Sequence, residues 1–173
     1  DYEEVIKNVE EILAVDDSRA YMNRLAGYSY FEKKNADYEK ALYYMDQLFS
    51  KVSADRILPK DYHYMARIIM KKNQDLPKLK DELDNLEAQL QRSKARFNAA
   101  PASEKTKLKP ALDELTGKYE KTKASVEAAE AELQRGFTAF DKTIAMKPQD
   151  AALKNELAVN YYTFRRYDDA AKT

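Results

Sequence analysis

The sequence contains no cysteine and no tryptophan, and only three glycines and five prolines occur among its 173 residues. Without cysteine the chain forms neither a disulfide nor a thiolate site, which leaves the cytoplasm and a bacterial cell envelope or periplasm equally open as localisations. Gly and Pro, which are typical of turns and strand ends, are scarce, while helix formers such as Ala, Leu, Glu and Lys are abundant. The composition therefore predicts an all-α protein.

An excess of charge of one sign is also missing, because thirty Lys and Arg balance thirty Asp and Glu. A strongly basic chain would point to nucleic acid or to an anionic membrane, so the balance predicts no nucleic-acid partner. No apolar run approaches the roughly 18 residues of a membrane span, and membrane insertion is not expected.

His63 is the only histidine, and no second histidine, cysteine or preceding helical carboxylate is present to complete a metal site. The glycines are isolated, so the sequence has no glycine-rich phosphate loop and predicts no cofactor. No Ser nucleophile has a general base at a recognisable spacing, and the carboxylates alternate with Lys as on solvated helix faces. A non-enzymatic protein is therefore predicted. An enzyme would need a pocket that joins His63 to carboxylates.

A short phrase occurs three times, as DYEEV at residues 1–5, DYEKA at 37–41 and RYDDA at 166–170. Each phrase has an acidic or polar residue, a Tyr, two charged residues and a small or β-branched residue. Each is predicted to begin a helix, with Asp1 and Asp37 capping free backbone N–H groups.

Apolar or small residues at spacings of three and four predict helices between and after these phrases. In the first of these helices Leu25, Ala26 and Tyr30 are expected to face inward. The predicted helices cover residues 18–34, 39–52, 59–75 and 150–171. Short turns between them favour antiparallel helix pairs.

The middle of the chain carries two sustained series of seam residues at heptad spacing. They are Leu76, Leu79, Leu83, Leu86, Leu90, Ser93 and Phe97, then Leu108, Leu112, Leu115, Tyr119, Thr122, Val126, Ala129 and Leu133. The segment between them, residues 98–110, is rich in helix breakers. These features predict an antiparallel coiled-coil hairpin, whose second arm continues in phase as one helix of about forty residues. Pro77 is expected to break the helix that precedes the first arm.

The predicted helix pairs share a residue pattern. In three pairs the first helix has a large or small residue, then a small one, then an aromatic or apolar one at related positions. In one pair the second helix is followed by a proline. The residues are Ala26, Gly27 and Tyr30; Met65, Ala66 and Ile69; Leu157, Ala158 and Tyr161; and Gly136, Phe140, Thr143 and Pro148. This pattern resembles the tetratricopeptide repeat (TPR), a helix-turn-helix unit of 34 residues, and the spacing from Gly136 to Ala170 is also 34. The resemblance implies a right-handed superhelical α-solenoid of TPR-like helix pairs with a projecting antiparallel coiled-coil hairpin.

This interpretation divides the chain into three parts. Residues 1–75 are predicted to hold the second helix of a truncated repeat, one full repeat and the first helix of the next. Residues 76–132 form the inserted hairpin. Residues 133–173 complete the split repeat and begin another that is cut short. The chain is thus expected to be a piece of a longer array.

The resemblance to TPR proteins implies a non-catalytic scaffold that binds a protein or peptide in the concave groove of its first helices. The residues assigned to this groove are Arg24, Tyr28, Lys60, His63, Arg67, Lys71, Asn155 and Tyr162. A groove that is basic and aromatic would suit an acidic segment or a C-terminal carboxylate. The same charges could equally be solvated surface groups.

A structural or oligomerisation module is the alternative, in which the hairpin makes the functional contact and the repeats only anchor it. Residues 76–135 hold 12 Lys and Arg against 11 Asp and Glu, which predicts no electrostatic preference for nucleic acid. Self-association through the hairpin or through the truncated repeat ends would also fit, because the apolar stripe of Val5, Val9 and Ile12 lacks a predicted neighbour.

Overall fold

The computed structural model describes all 173 residues, and each of its regular elements is a helix. The helices are α1 (Tyr2–Val15), α2 (Ala20–Glu32), α3 (Tyr38–Lys51), α4 (Pro59–Lys72), α5 (Leu76–Ala99), α6 (Ala102–Met146), α7 (Ala151–Thr163) and α8 (Tyr167–Ala170), with a 3-10 turn at Ala54–Arg56. No strand is present, so the prediction of an all-α protein is confirmed.

The chain divides into two compact units. The first unit comprises residues 1–74 together with 132–173, and the second comprises residues 75–131. Helix α6 supplies residues to both, because its bounds span the division at 131.

Aspartate side chains fix the starts of three helices in the first unit. The carboxylate of Asp1 accepts a hydrogen bond from the Glu3 N–H at 3.0 Å, and that of Asp37 accepts one from the Lys40 N–H at 3.0 Å. These contacts satisfy backbone donors that a helix end leaves free, which confirms both predicted caps. Asp150 caps α7 in the same way. Each copy of the repeated phrase begins a helix: α1, α3 and α8.

Helix α2 packs against α1, α3 and α4 in the first unit. A Cβ atom on Gly27 would lie 2.8 Å from the Met45 sulfur, so the absence of a side chain lets α2 and α3 approach closely. The prediction that Leu25 faces inward is wrong, because 46% of this residue is exposed. Asn23 and Phe31 are buried instead, and the Asn23 amide donates to the Ala20 carbonyl, which satisfies a polar group in the core.

In the second unit, α5 and α6 are joined by the two residues Ala100 and Pro101. Lys80 forms an ion pair with Glu130, and the Lys105 ammonium lies 5.7 Å from the centre of the Phe97 ring. These two contacts link α5 to α6. The seam residues of both series are buried or half-buried, whereas most of their neighbours are exposed.

Three prolines have different effects on these helices. Helix α4 ends at Lys72 and α5 starts at Leu76, so the predicted break near Pro77 is confirmed. The predicted breaker-rich connection over residues 98–110 is wrong, because α6 begins at Ala102 and is 45 residues long. The Pro101 carbonyl accepts hydrogen bonds from the N–H groups of Glu104 and Lys105, which starts the helix. Pro110 removes one further donor, and the helix continues through it.

A hydrogen-bonded cluster around Glu10 connects the first three helices. Its carboxylate accepts hydrogen bonds from the Tyr30 hydroxyl at 2.6 Å and from the Tyr44 hydroxyl at 3.0 Å. Lys40 donates to the Tyr30 hydroxyl at 3.0 Å. The hydrogen bond from Tyr30 is the main cause that holds the pKa of Glu10 below its usual value, while burial acts in the opposite direction.

Glu10→Gln is therefore expected to lower the free energy of unfolding by about 1 kcal/mol near neutral pH, since hydrogen bonds to a charged group are strong but this group is partly exposed. A carboxylate with a lowered pKa stabilises the fold above its unfolded pKa, and this contribution disappears as pH falls through the folded pKa. The difference between wild type and variant should thus be constant above about pH 5 and shrink in more acidic solution. Urea titrations at several pH values measure it. Glu11→Gln, at an exposed neighbour, is the control and should change little at any pH.

Candidate functional site in the groove between α4 and α7

Helices α4 and α7 border a groove in the first unit. It has two depressions of about 330 and 300 Å³, one on each side of Glu156. The larger is lined by Arg67, Met70, Lys71, Gln74, Glu156, Val159, Asn160, Thr163 and Phe164. The smaller is lined by Pro59, Lys60, His63, Thr143, Lys147, Asp150, Ala152, Leu153 and Glu156. We call this surface the α4–α7 groove.

The start of α4 is fixed by Asp61, a residue that the sequence analysis did not assign to the site. Pro59 is the first helical residue, so Asp61 is the third and can reach back to the free N–H groups. Its carboxylate accepts the Leu58 N–H at 2.7 Å. The side chain is completely buried.

Two residues of α2 bind the same carboxylate. The Arg24 guanidinium donates to both oxygens of Asp61 at 2.6 Å, and the Tyr28 hydroxyl donates to Oδ1 at 2.7 Å. The hydrogen bonds to Asp61 raise the pKa of Arg24, and burial is the main cause that raises the pKa of Tyr28. Arg24 and Tyr28 lie four residues apart and therefore share one helix face. Through these bonds to Asp61, both residues hold α2 against α4.

An aromatic stack extends this contact along α4. The rings of Tyr28 and Tyr64 are parallel within 18° at 3.8 Å, and the Lys60 ammonium lies 5.3 and 5.5 Å from their centres. The Tyr64 hydroxyl donates to Glu32 at 2.8 Å, and burial raises the pKa of Tyr64 to about 12. Lys60 has no carboxylate partner, so cation–π attraction is its contact with the protein.

At the centre of the groove, polar side chains connect α4 to α7. His63 Nε2 lies 2.8 Å from Glu156 Oε2, and Arg67 Nε lies 3.6 Å from the other oxygen. Arg67 also lies 3.9 Å from Glu32. The hydrogen bond with His63 is the main cause that holds the pKa of Glu156 below its usual value. Glu156 is thus a charged link between two helices.

The smaller depression joins His63 to Glu156 and Asp150, an arrangement that no motif in the sequence predicts. Thr143 also lines this depression but is buried, and its hydroxyl donates to the Ala139 carbonyl. Asp150 is the cap of α7. In this depression His63 and Glu156 form a hydrogen-bonded pair. No group of three or more His, Asp or Glu is arranged to hold a metal ion.

The outer edge of the groove carries side chains without polar partners. Lys71 and Lys147 are exposed and form no ion pair. Val159 and Tyr162 of α7 are 55% and 67% exposed, and Tyr162 contacts Tyr167 of α8 edge to face. A ligand in the groove can reach these cations and apolar groups without breaking a contact of the fold.

The structure divides the eight predicted residues into three sets. Lys60, His63, Arg67 and Lys71 line the two depressions. Arg24 and Tyr28 are bonded to Asp61. Asn155 and Tyr162 are exposed on α7 and line neither depression.

The carboxylates that the sequence analysis left out reduce the basic character expected of this surface. Glu156 pairs with His63 and Arg67, Glu32 lies beside Arg67, and Asp61 pairs with Arg24. Glu156 is 93 residues from His63 in the sequence, and Glu32 lies on α2 whereas Arg67 lies on α4. Because each pair joins two different helices, no local sequence pattern indicates the pairing.

Comparisons of the chain with protein-family models, with curated proteins and with solved structures find no match. None of the helices combines the length and the apolar character required to cross a membrane.

Proposed function

We propose that the chain is a non-catalytic scaffold that binds a protein or peptide segment in the α4–α7 groove. The observation that carries this proposal is the pair of depressions beside Glu156, bordered by ammonium groups without partners and by exposed apolar side chains. Two neighbouring depressions that share Glu156 and are lined by both apolar and polar groups suit an extended or helical segment better than a compact metabolite.

We further propose that the first unit is an α-solenoid of TPR-like helix pairs and that α5 and α6 form an antiparallel coiled-coil hairpin inserted in one pair. Support comes from the repeated phrase at the starts of α1, α3 and α8, and from the packing of α2 with α1, α3 and α4. The half-buried seam residues and the Lys80–Glu130 ion pair support the hairpin. In this arrangement α2, α4 and α7 are first helices, so their shared face is the binding face.

The residues that contact a ligand are proposed to be the unpartnered ones at the edge of the groove. Lys71, Val159 and Tyr162 are available, whereas Arg24 and Tyr28 serve the fold. A preformed surface of this kind lowers the ordering entropy that binding costs, because its central side chains are already fixed by Glu156.

Selection of peptides from a random displayed library against the 173-residue chain tests this proposal. The double substitution Lys71→Ala and Val159→Asp is expected to lower the affinity for a selected peptide at least tenfold. It removes a cation and places a carboxylate on the apolar edge of the groove. Lys51→Ala together with Tyr43→Asp on α3 is the matched control and should leave the affinity within about twofold. Affinities are measured by fluorescence anisotropy.

Two results would contradict the proposal. One is that no selected peptide binds with a defined stoichiometry. The other is that the groove variant binds as tightly as wild type while deletion of residues 76–131 abolishes binding, which would favour the oligomerisation or hairpin-contact alternative.

A further inference from the structure

The charges of the second unit are unevenly distributed along its helices. The unit as a whole has eleven Lys and Arg against eleven Asp and Glu. Residues 91–112, on both sides of the turn at Ala100 and Pro101, have six basic residues against Glu104 alone, a net charge of +5. The rest of the unit has five Lys against ten Asp and Glu, a net charge of −5. The basic residues are Arg92, Lys94, Arg96, Lys105, Lys107 and Lys109. We call this region the basic end.

Most of these cations are free to meet a partner. All but Lys105 are exposed, and Lys109 alone forms an ion pair, with Asp113 one helical turn away. Lys105 is half-buried with its ammonium over the Phe97 ring. An exposed pair four residues apart contributes little energy, so Lys109 can also exchange its partner.

The cations surround the end of the unit. At 1.5 Å per residue, all six lie within about 12 Å of the turn along their helices. At 100° per residue, Arg92 and Arg96 lie on one side of the α5 seam and Lys94 lies on the other. Lys107 and Lys109 flank the α6 seam in the same manner. An object that meets the end of the hairpin can therefore contact cations on every side.

We propose that the basic end binds the surface of an anionic phospholipid bilayer. A flat anionic surface at the turn meets the six cations first, the farthest of them about 12 Å away along the helix. The acidic remainder of the unit begins at about 18 Å, close to two Debye lengths of about 10 Å each. Each Lys or Arg near such a surface strengthens binding by roughly fivefold. No large apolar residue of the second unit is strongly exposed, so the contact is peripheral and sensitive to salt.

Nucleic acid fits the same charges less well. A duplex alongside the helices would contact the cations of one side only. It would also lie along the rest of the unit, whose net charge of −5 repels its phosphates. Single strands bind by stacking bases on exposed aromatic rings, and Phe97, the aromatic residue of the basic end, is half-buried with Lys105 over it. The charge distribution therefore favours a planar anionic partner.

Co-sedimentation of the 173-residue chain with phosphatidylcholine vesicles, with and without phosphatidylserine, tests the proposal. Wild type is expected to bind only the vesicles with phosphatidylserine and to be released by salt. The variant Arg92→Gln, Arg96→Gln, Lys107→Gln should bind about a hundredfold more weakly, at roughly fivefold for each charge. The control variant Lys118→Gln, Lys121→Gln, Lys123→Gln loses the same charge in the same unit but farther from the turn, and should stay within about threefold of wild type.

Far-UV circular dichroism of both variants should match wild type, so that a loss of binding reports on charge and not on folding. Three results would each overturn the proposal. Wild type fails to bind phosphatidylserine vesicles at low salt; both variants weaken binding equally; or a DNA or RNA duplex binds the basic end more tightly than vesicles at the same salt concentration.

Discussion

Asp61→Asn is expected to lower the free energy of unfolding of the first unit by about 3–5 kcal/mol. The substitution keeps the volume of the side chain but removes its charge, and it leaves the Arg24 guanidinium largely buried opposite a neutral amide. The amide also has a single acceptor oxygen, whereas the carboxylate accepts hydrogen bonds from Arg24, Tyr28 and the Leu58 N–H on two. At least one buried donor thus loses its partner.

Urea unfolding followed by tyrosine fluorescence measures this effect, because Tyr119 is the only one of the thirteen tyrosines in the second unit. Asp113→Asn is the control: its ion pair with Lys109 is exposed, and its loss should change stability by less than about 0.5 kcal/mol. Replacing both Arg24 by Met and Asp61 by Leu should be less harmful than Asp61→Asn alone, since no unpaired charge remains. A loss below about 1 kcal/mol for Asp61→Asn would show that the network does not hold α2 against α4.

Gly136→Leu is expected to destabilise the first unit by about 3 kcal/mol. A Cβ atom at Gly136 would lie 2.9 Å from Ile69 Cγ2 and from Met70 Cε, and Ile69 is completely buried. Leucine adds further carbons where the first is already too close, so α6 and α4 must separate or their core must rearrange. The same tyrosine signal measures the effect.

Gly117→Leu provides a matched comparison on the same helix. No atom lies within 4 Å of a Cβ atom at Gly117, and the residue is exposed. Its replacement should therefore stabilise α6 by up to about 0.8 kcal/mol through helix propensity alone. If the two substitutions had the same effect, close packing of α4 on α6 would not be the reason for glycine at 136.

The helices were largely predictable because their signals are local. Asp1 and Asp37 cap helices as their positions in the repeated phrase predict, and the heptad series match the half-buried residues of the second unit. The segment 98–110 was assigned wrongly because its Pro and Ser content favours a turn, whereas two residues suffice to reverse the chain and α6 extends through Pro110.

The site was predictable only in part, for reasons of sequence distance. Spacing on α4 placed Lys60, His63 and Arg67 together, but their partners come from other helices: Glu156 is 93 residues from His63. Asp61 had a local signal, its position three residues into a helix that begins with proline, but its bonds to Arg24 and Tyr28 depend on how α2 packs. The basic end was not predicted because the charges summed over the whole second unit come to zero.

Photo-crosslinking can show whether a bound segment lies in the α4–α7 groove. A photoreactive amino acid is placed at Val159, at the edge of the α4–α7 groove, or at Tyr43, an exposed position on α3. A library-selected peptide is expected to crosslink efficiently from position 159, and only at background level from position 43, with competition by unlabelled peptide. Equal crosslinking from both positions, or none from 159 at saturating peptide, would contradict the assignment of this groove as the binding surface.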